Sequence, residues 1–177
     1  TYKLYGRAGW GSAIVEAQLT WYGLPFTFEP VDDLIRSPDA RSKLEKVNPL
    51  AQVPTLVMPD GSVMSESTTI TLLLADITGK DSLVPAPQAP ERGKFLRWLV
   101  FIVANIYPTF TYADDPARFV SVSTARDPFR AATDAYAQRL WRQVDSQAGS
   151  PWFLGERFSA LDIYVDVMSR WRPKRGW

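Results

Sequence analysis

The chain has 177 residues, 46% of them hydrophobic and 13% aromatic, enough to bury a sizeable core in one large domain or two small ones. Its 20 Lys and Arg nearly balance 19 Asp and Glu, and a net charge of +1 supplies no strong field for nucleic acid or an anionic membrane. With no Cys and no His, the sequence excludes disulfides, zinc–thiolate sites, a protein thiol nucleophile, the Ser-His-Asp triad and histidine-dependent metal sites.

Any chemistry therefore rests on hydroxyls, carboxylates, backbone donors or a group borrowed from a ligand. Tyr2-Lys3-Leu4-Tyr5 alternates and predicts a strand. Ser12 then precedes "AIVEAQLTWYG", where Ile14, Val15, Leu19 and Tyr22 recur at helical spacing. Ser12 is the expected N-cap and Gly23 the expected stop. Residues 25–31, "PFTFEPV", read as a second strand, so the first 31 residues form a β-α-β unit with parallel strands. "SPDARSKLEKVNP" predicts a short helix ending before Pro49. "VPTLVM", the turn Pro59-Asp60-Gly61 and "SVMSES" predict a hairpin. Residues 67–79 predict a helix stopped by Gly79.

Residues 80–89 are a linker, with Pro85 and Pro87 inside it and Pro90 just beyond. The pattern afterwards is helical only: a long apolar stretch in which Pro108 is a kink or a stop, an amphipathic run over 127–149, and a helix over 159–172. Ser159 followed by Asp162 resembles a capping box with Asp in place of Glu. The expected organisation is thus an α/β unit (β-α-β-α-β-β-α) over 1–79, the linker, and an all-helical domain over 90–177. Arg170, Arg172, Lys174 and Arg175 read as a solvated helix end. No stretch approaches the roughly 18 apolar residues of a membrane span, and no basic-then-apolar leader is visible, so the cytosol is the expected location. Thr1 stands where an initiator Met would, and "RWRPKRGW" stops abruptly after a helical pattern, so both ends are expected to continue.

The glycines of "LYGRAGWGSAIVEAQL" invite a phosphate-loop reading, which their spacing rejects. Gly6, Gly9 and Gly11 give G-x-x-G-x-G, not the dinucleotide order G-x-G-x-x-G. Gly6 and Gly11 also fit the two glycines of a P-loop, but Ser12-Ala13 replaces the required Lys-Ser/Thr. What remains is a close backbone approach with helix-start N–H groups available to some anion.

"NPLAQVPTLVMPDGSVMSESTTI", residues 48–70, and "WFLGERFSALDIYV", residues 152–165, resemble two signatures of the glutathione S-transferase family, in the right order and separation. The first is that family's glutathione site and the second its helical-domain folding motif. The resemblance implies a thioredoxin-like N-terminal domain followed by an all-helical domain, with glutathione as co-substrate and no metal. It also implies a cytoplasmic homodimer and a detoxifying transfer of glutathione to a small hydrophobic molecule, with neither nucleic acid nor membrane as partner. Alternatives on the same scaffold are a glutathione-binding module with little turnover, or a glutathione-dependent peroxidase, isomerase or ether-cleaving enzyme.

By that resemblance Val53 and the cis-type Pro54 present backbone groups to the cysteinyl part of glutathione, as an added strand would. Ser67 and the helix start receive the γ-glutamyl carboxylate, Glu66 pairs with its ammonium, and Gln52 contacts the peptide backbone. A capping serine at 65 or 67 and an exposed Gln52 are the plainer readings. The family places Tyr, Ser or Cys near the thiol, and this chain has Gly9 and Gly11 in that region. Ser12 either donates to the thiolate or caps the helix. Tyr5 either serves the thiol or packs in the core. Trp10, Tyr107, Phe110 and Tyr112 are candidates for the electrophile pocket, or ordinary packing aromatics. Ser159 and Asp162 are assigned to structure alone.

Overall fold

The computed structural model describes residues 1–171. Arg172, Lys174, Arg175 and the abrupt C-terminal stretch of the sequence lie outside the described residues.

Alternation sets the first strand. Tyr2, Leu4 and Gly6 of β1 (Tyr2–Gly6) are buried, while Lys3 and Tyr5 face the other side. After β1 come α1 (Ser12–Tyr22), β2 (Phe26–Pro30), α2 (Pro38–Glu45), β3 (Thr55–Val57), β4 (Val63–Met64) and α3 (Ser67–Thr78). The strands lie in the order β2-β1-β3-β4. β1 runs parallel to β2, with Leu4 opposite Phe28, and antiparallel to β3, with Leu4 opposite Leu56. This is the mixed four-stranded sheet of the thioredoxin-like domain that the family resemblance implies.

Gly23 and Gly79 end α1 and α3 in the left-handed conformation, as their positions predict. The start of α1 differs from expectation. Its N-cap is Gly11, with no side-chain cap, and Ser12 is the first helical residue. The Ser12 hydroxyl instead accepts from the Arg7 N–H at 3.0 Å and donates to the Arg7 carbonyl at 3.1 Å. It pins the β1–α1 loop rather than capping the helix.

The second part is helical: α4 (Arg92–Phe101), α5 (Tyr107–Asp114), α6 (Arg126–Gln147) and α7 (Ala160–Ser169). Between α4 and α5 the chain makes a π-helical turn, Ile102–Ile106. Pro108 therefore opens a new helix rather than ending one. The expected capping box is present at α7, where the Asp162 carboxylate accepts from the Ser159 N–H at 2.8 Å.

One apolar core runs through both parts. Leu4, Ile14, Leu56, Ile70 and Leu74 of the sheet layer join Phe95, Leu99, Ile106, Leu161 and Tyr164. Each such side chain contributes about 1.5–3 kcal/mol on burial. The Ala160 N–H donates to the Leu83 carbonyl at 2.8 Å, and Trp21 stacks on Phe158 at 5.0 Å. A buried polar chain crosses the same seam. Gln18 donates to Thr71 at 2.9 Å, and the Thr71 and Tyr164 hydroxyls lie 3.3 Å apart. A smaller cluster, Leu34, Ala40, Leu44 and Ala51, covers the other face of the sheet with Tyr5, Trp10 and Val53 against it. Among the described residues no helix is long and apolar enough to cross a membrane.

Buried tyrosines give this core an alkaline limit. Burial pushes the Tyr22 hydroxyl up to about 12, the Leu83 backbone opposing and the Asp81 charge adding. An unfolded tyrosine ionises near ~10, so from there upward the unfolded chain sheds a proton that the folded chain keeps. Stability therefore falls as pH rises from about 10 to about 12. Tyr22→Phe should flatten part of that decline in urea midpoints measured across the interval. An unchanged decline would remove Tyr22 as a cause.

Candidate functional site

The N-termini of α1 and α3 and the bend before β3 converge on one cleft of about 790 Å³, within the usual range for a small-molecule site. The sheet side supplies Gly9, Trp10, Gly11, Leu34, Arg41, Gln52, Val53, Pro54, Ser65, Glu66 and Ser67. The helical side supplies Val103, Tyr107, Phe110, Tyr112, Arg118, Phe119 and Trp171.

Of the residues singled out in the sequence, Gln52, Val53, Pro54, Glu66, Ser67, Trp10, Tyr107, Phe110 and Tyr112 all line this cleft. The Val53–Pro54 peptide is cis. Asn48 and Thr55 brace the bend: the Thr55 hydroxyl donates to the Gln52 carbonyl at 2.7 Å, and the Asn48 amide donates to Thr55 at 2.9 Å. Among the described residues, the Val53 N–H and C=O have no hydrogen-bond partner.

Glu66 has φ 64, a backbone region that costs a non-glycine residue about 1–3 kcal/mol. It is the N-cap of α3, and no side chain caps that helix. The Ser67, Thr68 and Thr69 N–H groups have no acceptor among the described residues, nor has the Glu66 carboxylate a cation. Ser67 is buried at the cleft floor, beside Thr71 and Tyr164. A helix start with bare N–H groups beside a bare carboxylate suits an anion and a cation on one carbon, as in an α-amino acid.

The start of α1 is similarly bare. No side chain caps it, no acidic residue sits in its first turn, and the Gly11 and Ser12 N–H groups have no acceptor among the described residues.

Ser12 and Tyr5 lie outside the cleft. Ser12 is fully buried with its hydroxyl committed to Arg7. Tyr5 projects from the opposite face of β1, against the Leu34–Leu44 cluster, and lines a separate groove with Glu29, Asp32 and Lys43. The structure adds residues that the sequence reading passed over. Arg41, on a helix read only as polar, lines the cleft, its guanidinium donating to the Leu34 carbonyl at 3.4 Å. Trp171 packs edge-on against Tyr107 at 5.3 Å and Phe110 at 4.8 Å, and its indole N–H donates to the Gly9 carbonyl at 2.7 Å. Among the described residues no cluster of three or more Asp and Glu could hold a metal ion.

Comparison with known proteins places the chain among glutathione S-transferases. Residues 12–77 match the family model "Glutathione S-transferase, N-terminal domain". The chain is 36% identical over 176 residues to a protein named "Uncharacterized GST-like protein YncG" from Escherichia coli strain K12, covering 99% of this chain and 84% of that one. A glutathione transferase from Methylococcus capsulatus superposes with a TM-score of 0.80 at 29% identity, covering 97% of this chain and 82% of the other. A sphingomonad glutathione S-transferase complexed with glutathione superposes with a TM-score of 0.74 at 26% identity, covering 96% and 81%.

Proposed function

The chain belongs to the glutathione S-transferase family, and from that premise we propose that its cleft binds glutathione and favours the thiolate for attack on a small hydrophobic electrophile. The observation that carries this reading is Glu66. A carboxylate without a cation among the described residues, carried on strained backbone, stands at the uncapped start of α3, next to the cis Val53–Pro54 bend. In this reading Ser67 and the α3 N–H groups take the γ-glutamyl carboxylate, and Glu66 takes the ammonium. The Val53 backbone pairs with the cysteinyl unit, Gln52 adds a contact to the peptide, and Arg41 suits the glycyl carboxylate.

The bare N-terminus of α1 then faces the sulfur. A free thiol ionises near ~8.5, and a helix start lowers that value by favouring the anion. The thiol proton leaves to solvent. The sulfur lone pair forms a bond to the electrophilic carbon, and the leaving group departs with the bonding pair. Trp10, Phe110, Tyr112 and Phe119 give the electrophile an apolar wall. A cytoplasmic homodimer with a detoxifying role accompanies this reading by family likeness.

A second reading is favoured by one observation: neither Ser12 nor Tyr5 reaches the cleft. A module that binds glutathione with little turnover would need no thiol-activating side chain. Peroxidase, isomerase or ether-cleaving chemistry would use the same bound thiolate.

Calorimetric titration with glutathione tests the site. Glu66→Ala and Ser67→Ala should each weaken binding by at least about tenfold, since each removes a charge-assisted contact. Binding unchanged in both variants would reject the site. The ultraviolet titration of bound glutathione separates transferase from module: a depressed thiol pKa supports the first, an ordinary one the second.

A further inference from the structure

Gly11 is a glycine for want of space rather than for its backbone. Its φ of −56° and ψ of −20° suit any residue. A Cβ there, however, would lie 1.7 Å from the Tyr107 hydroxyl oxygen and 2.9 Å from Cζ of the same ring. The hydroxyl of a residue from the helical part thus occupies the place where a side chain at the start of α1 would begin. Among the described residues that hydroxyl has no hydrogen-bond partner, although it lies against the backbone of Gly11 on the cleft wall.

The approach to Tyr107 is built. The π-helical turn Ile102–Ile106 ends immediately before it, and such a turn inserts one residue and rotates everything that follows. Trp171 closes over the ring edge-on and fastens itself to the Gly9 carbonyl, so the loop and the ring are held together.

We propose that Tyr107 donates the hydrogen bond that the glutathione thiolate accepts, and that Gly11 is the gap that admits it. The inference rests on the glutathione reading of the cleft. It gives a role to the glycine that stands near where relatives carry their thiol-directed side chain: the donor comes across from the helical part instead. Tyr107 acts as donor and not as base. Burial holds its hydroxyl well above the ordinary tyrosine value, with Tyr164 and Glu66 adding to the effect, so it keeps its proton while the thiol gives its own to solvent.

The test uses the full chain and two probes, glutathione and S-methylglutathione, which lacks the ionisable sulfur. Tyr107→Phe keeps the ring and its packing. It should raise the pKa of the bound thiol by about one unit, a tenfold loss of thiolate preference, and leave S-methylglutathione affinity within about twofold. Gly11→Ala should give the same upward shift by displacing the hydroxyl, and the double variant should shift no further than either single one. A thiol pKa unchanged in Tyr107→Phe, or equal losses for both probes, would overturn the role of Tyr107. Failure of the unsubstituted chain to bind either probe would instead overturn the glutathione reading beneath it.

Discussion

Asp162→Ala is expected to lower the unfolding free energy by roughly 3–4 kcal/mol. One carboxylate serves three donors. Its Oδ1 accepts from the Phe153 N–H at 2.8 Å, and its Oδ2 accepts from the Ser159 N–H at 2.8 Å and from the Ser159 hydroxyl at 3.3 Å. Ser159 is fully buried and Phe153 nearly so, so water cannot replace the lost acceptor. An unmet buried donor costs about 1–3 kcal/mol, and a lost cap about 1 kcal/mol. Asp162→Asn keeps one carbonyl oxygen and should lose about half as much. Ser159→Ala should lose about 1 kcal/mol, because it removes only the hydroxyl that accepts from the Leu161 N–H at 3.3 Å. Urea unfolding of the three variants would measure this order. A loss below about 1 kcal/mol for Asp162→Ala would show that the carboxylate is not what holds the start of α7.

Gly6→Ala should cost about 2–3 kcal/mol by overpacking. A Cβ at residue 6 would meet the Ser12 Oγ at 2.5 Å, the Ser12 Cβ at 2.6 Å and Phe28 at 2.9 Å. The backbone cannot retreat. Gly6 pairs with Pro30 in the parallel ladder, and its carbonyl accepts from the Val31 N–H at 2.8 Å. Movement must then pass to Ser12 and from there to the loop that Ser12 ties at Arg7. Removing the Ser12 side chain clears two of the three clashes. The double variant Gly6→Ala/Ser12→Gly should therefore be more stable than the sum of the two single losses predicts, with a coupling above about 1 kcal/mol. Strict additivity in a double-mutant cycle would refute the contact. On the proposed glutathione reading, affinity for glutathione in Gly6→Ala should fall as well, since the displaced loop carries the bare N–H groups of α1.

These predictions divide along what local sequence can carry. Gly23 and Gly79 ended their helices as read because a left-handed residue after a helix is a local demand. Ser159 and Asp162 were legible for the same reason: a capping box is closed within four residues. The convergence of Val53, Glu66 and Ser67 was legible only through a family resemblance, since no local rule brings a bend and a helix start to one cleft. The direction of the Ser12 hydroxyl was not legible. Helix-start serines usually cap, and here a contact to Arg7 won. Tyr5 could have been placed by strand alternation, since Tyr2 and Leu4 claim the core face of β1. The meeting of Gly11 with Tyr107 had no local signal at all. The two stand far apart in sequence, and the π-helical turn that aims the ring is written in an ordinary run of helix-compatible residues, Ile102 to Ile106.

The bond from the Trp171 indole to the Gly9 carbonyl joins residues 162 apart in the chain. A contact of that span closes late, because the entropy of the intervening loop is offset only after the rest of the core has assembled. During synthesis the sheet, all of whose pairings lie within residues 2–64, can form while the ribosome is still producing the helices of the second part. The cleft is finished only when Trp171 has emerged and docked. A nascent or truncated chain ending after α3 would thus have the sheet side of the cleft encoded in full, yet lack the helical wall that encloses it.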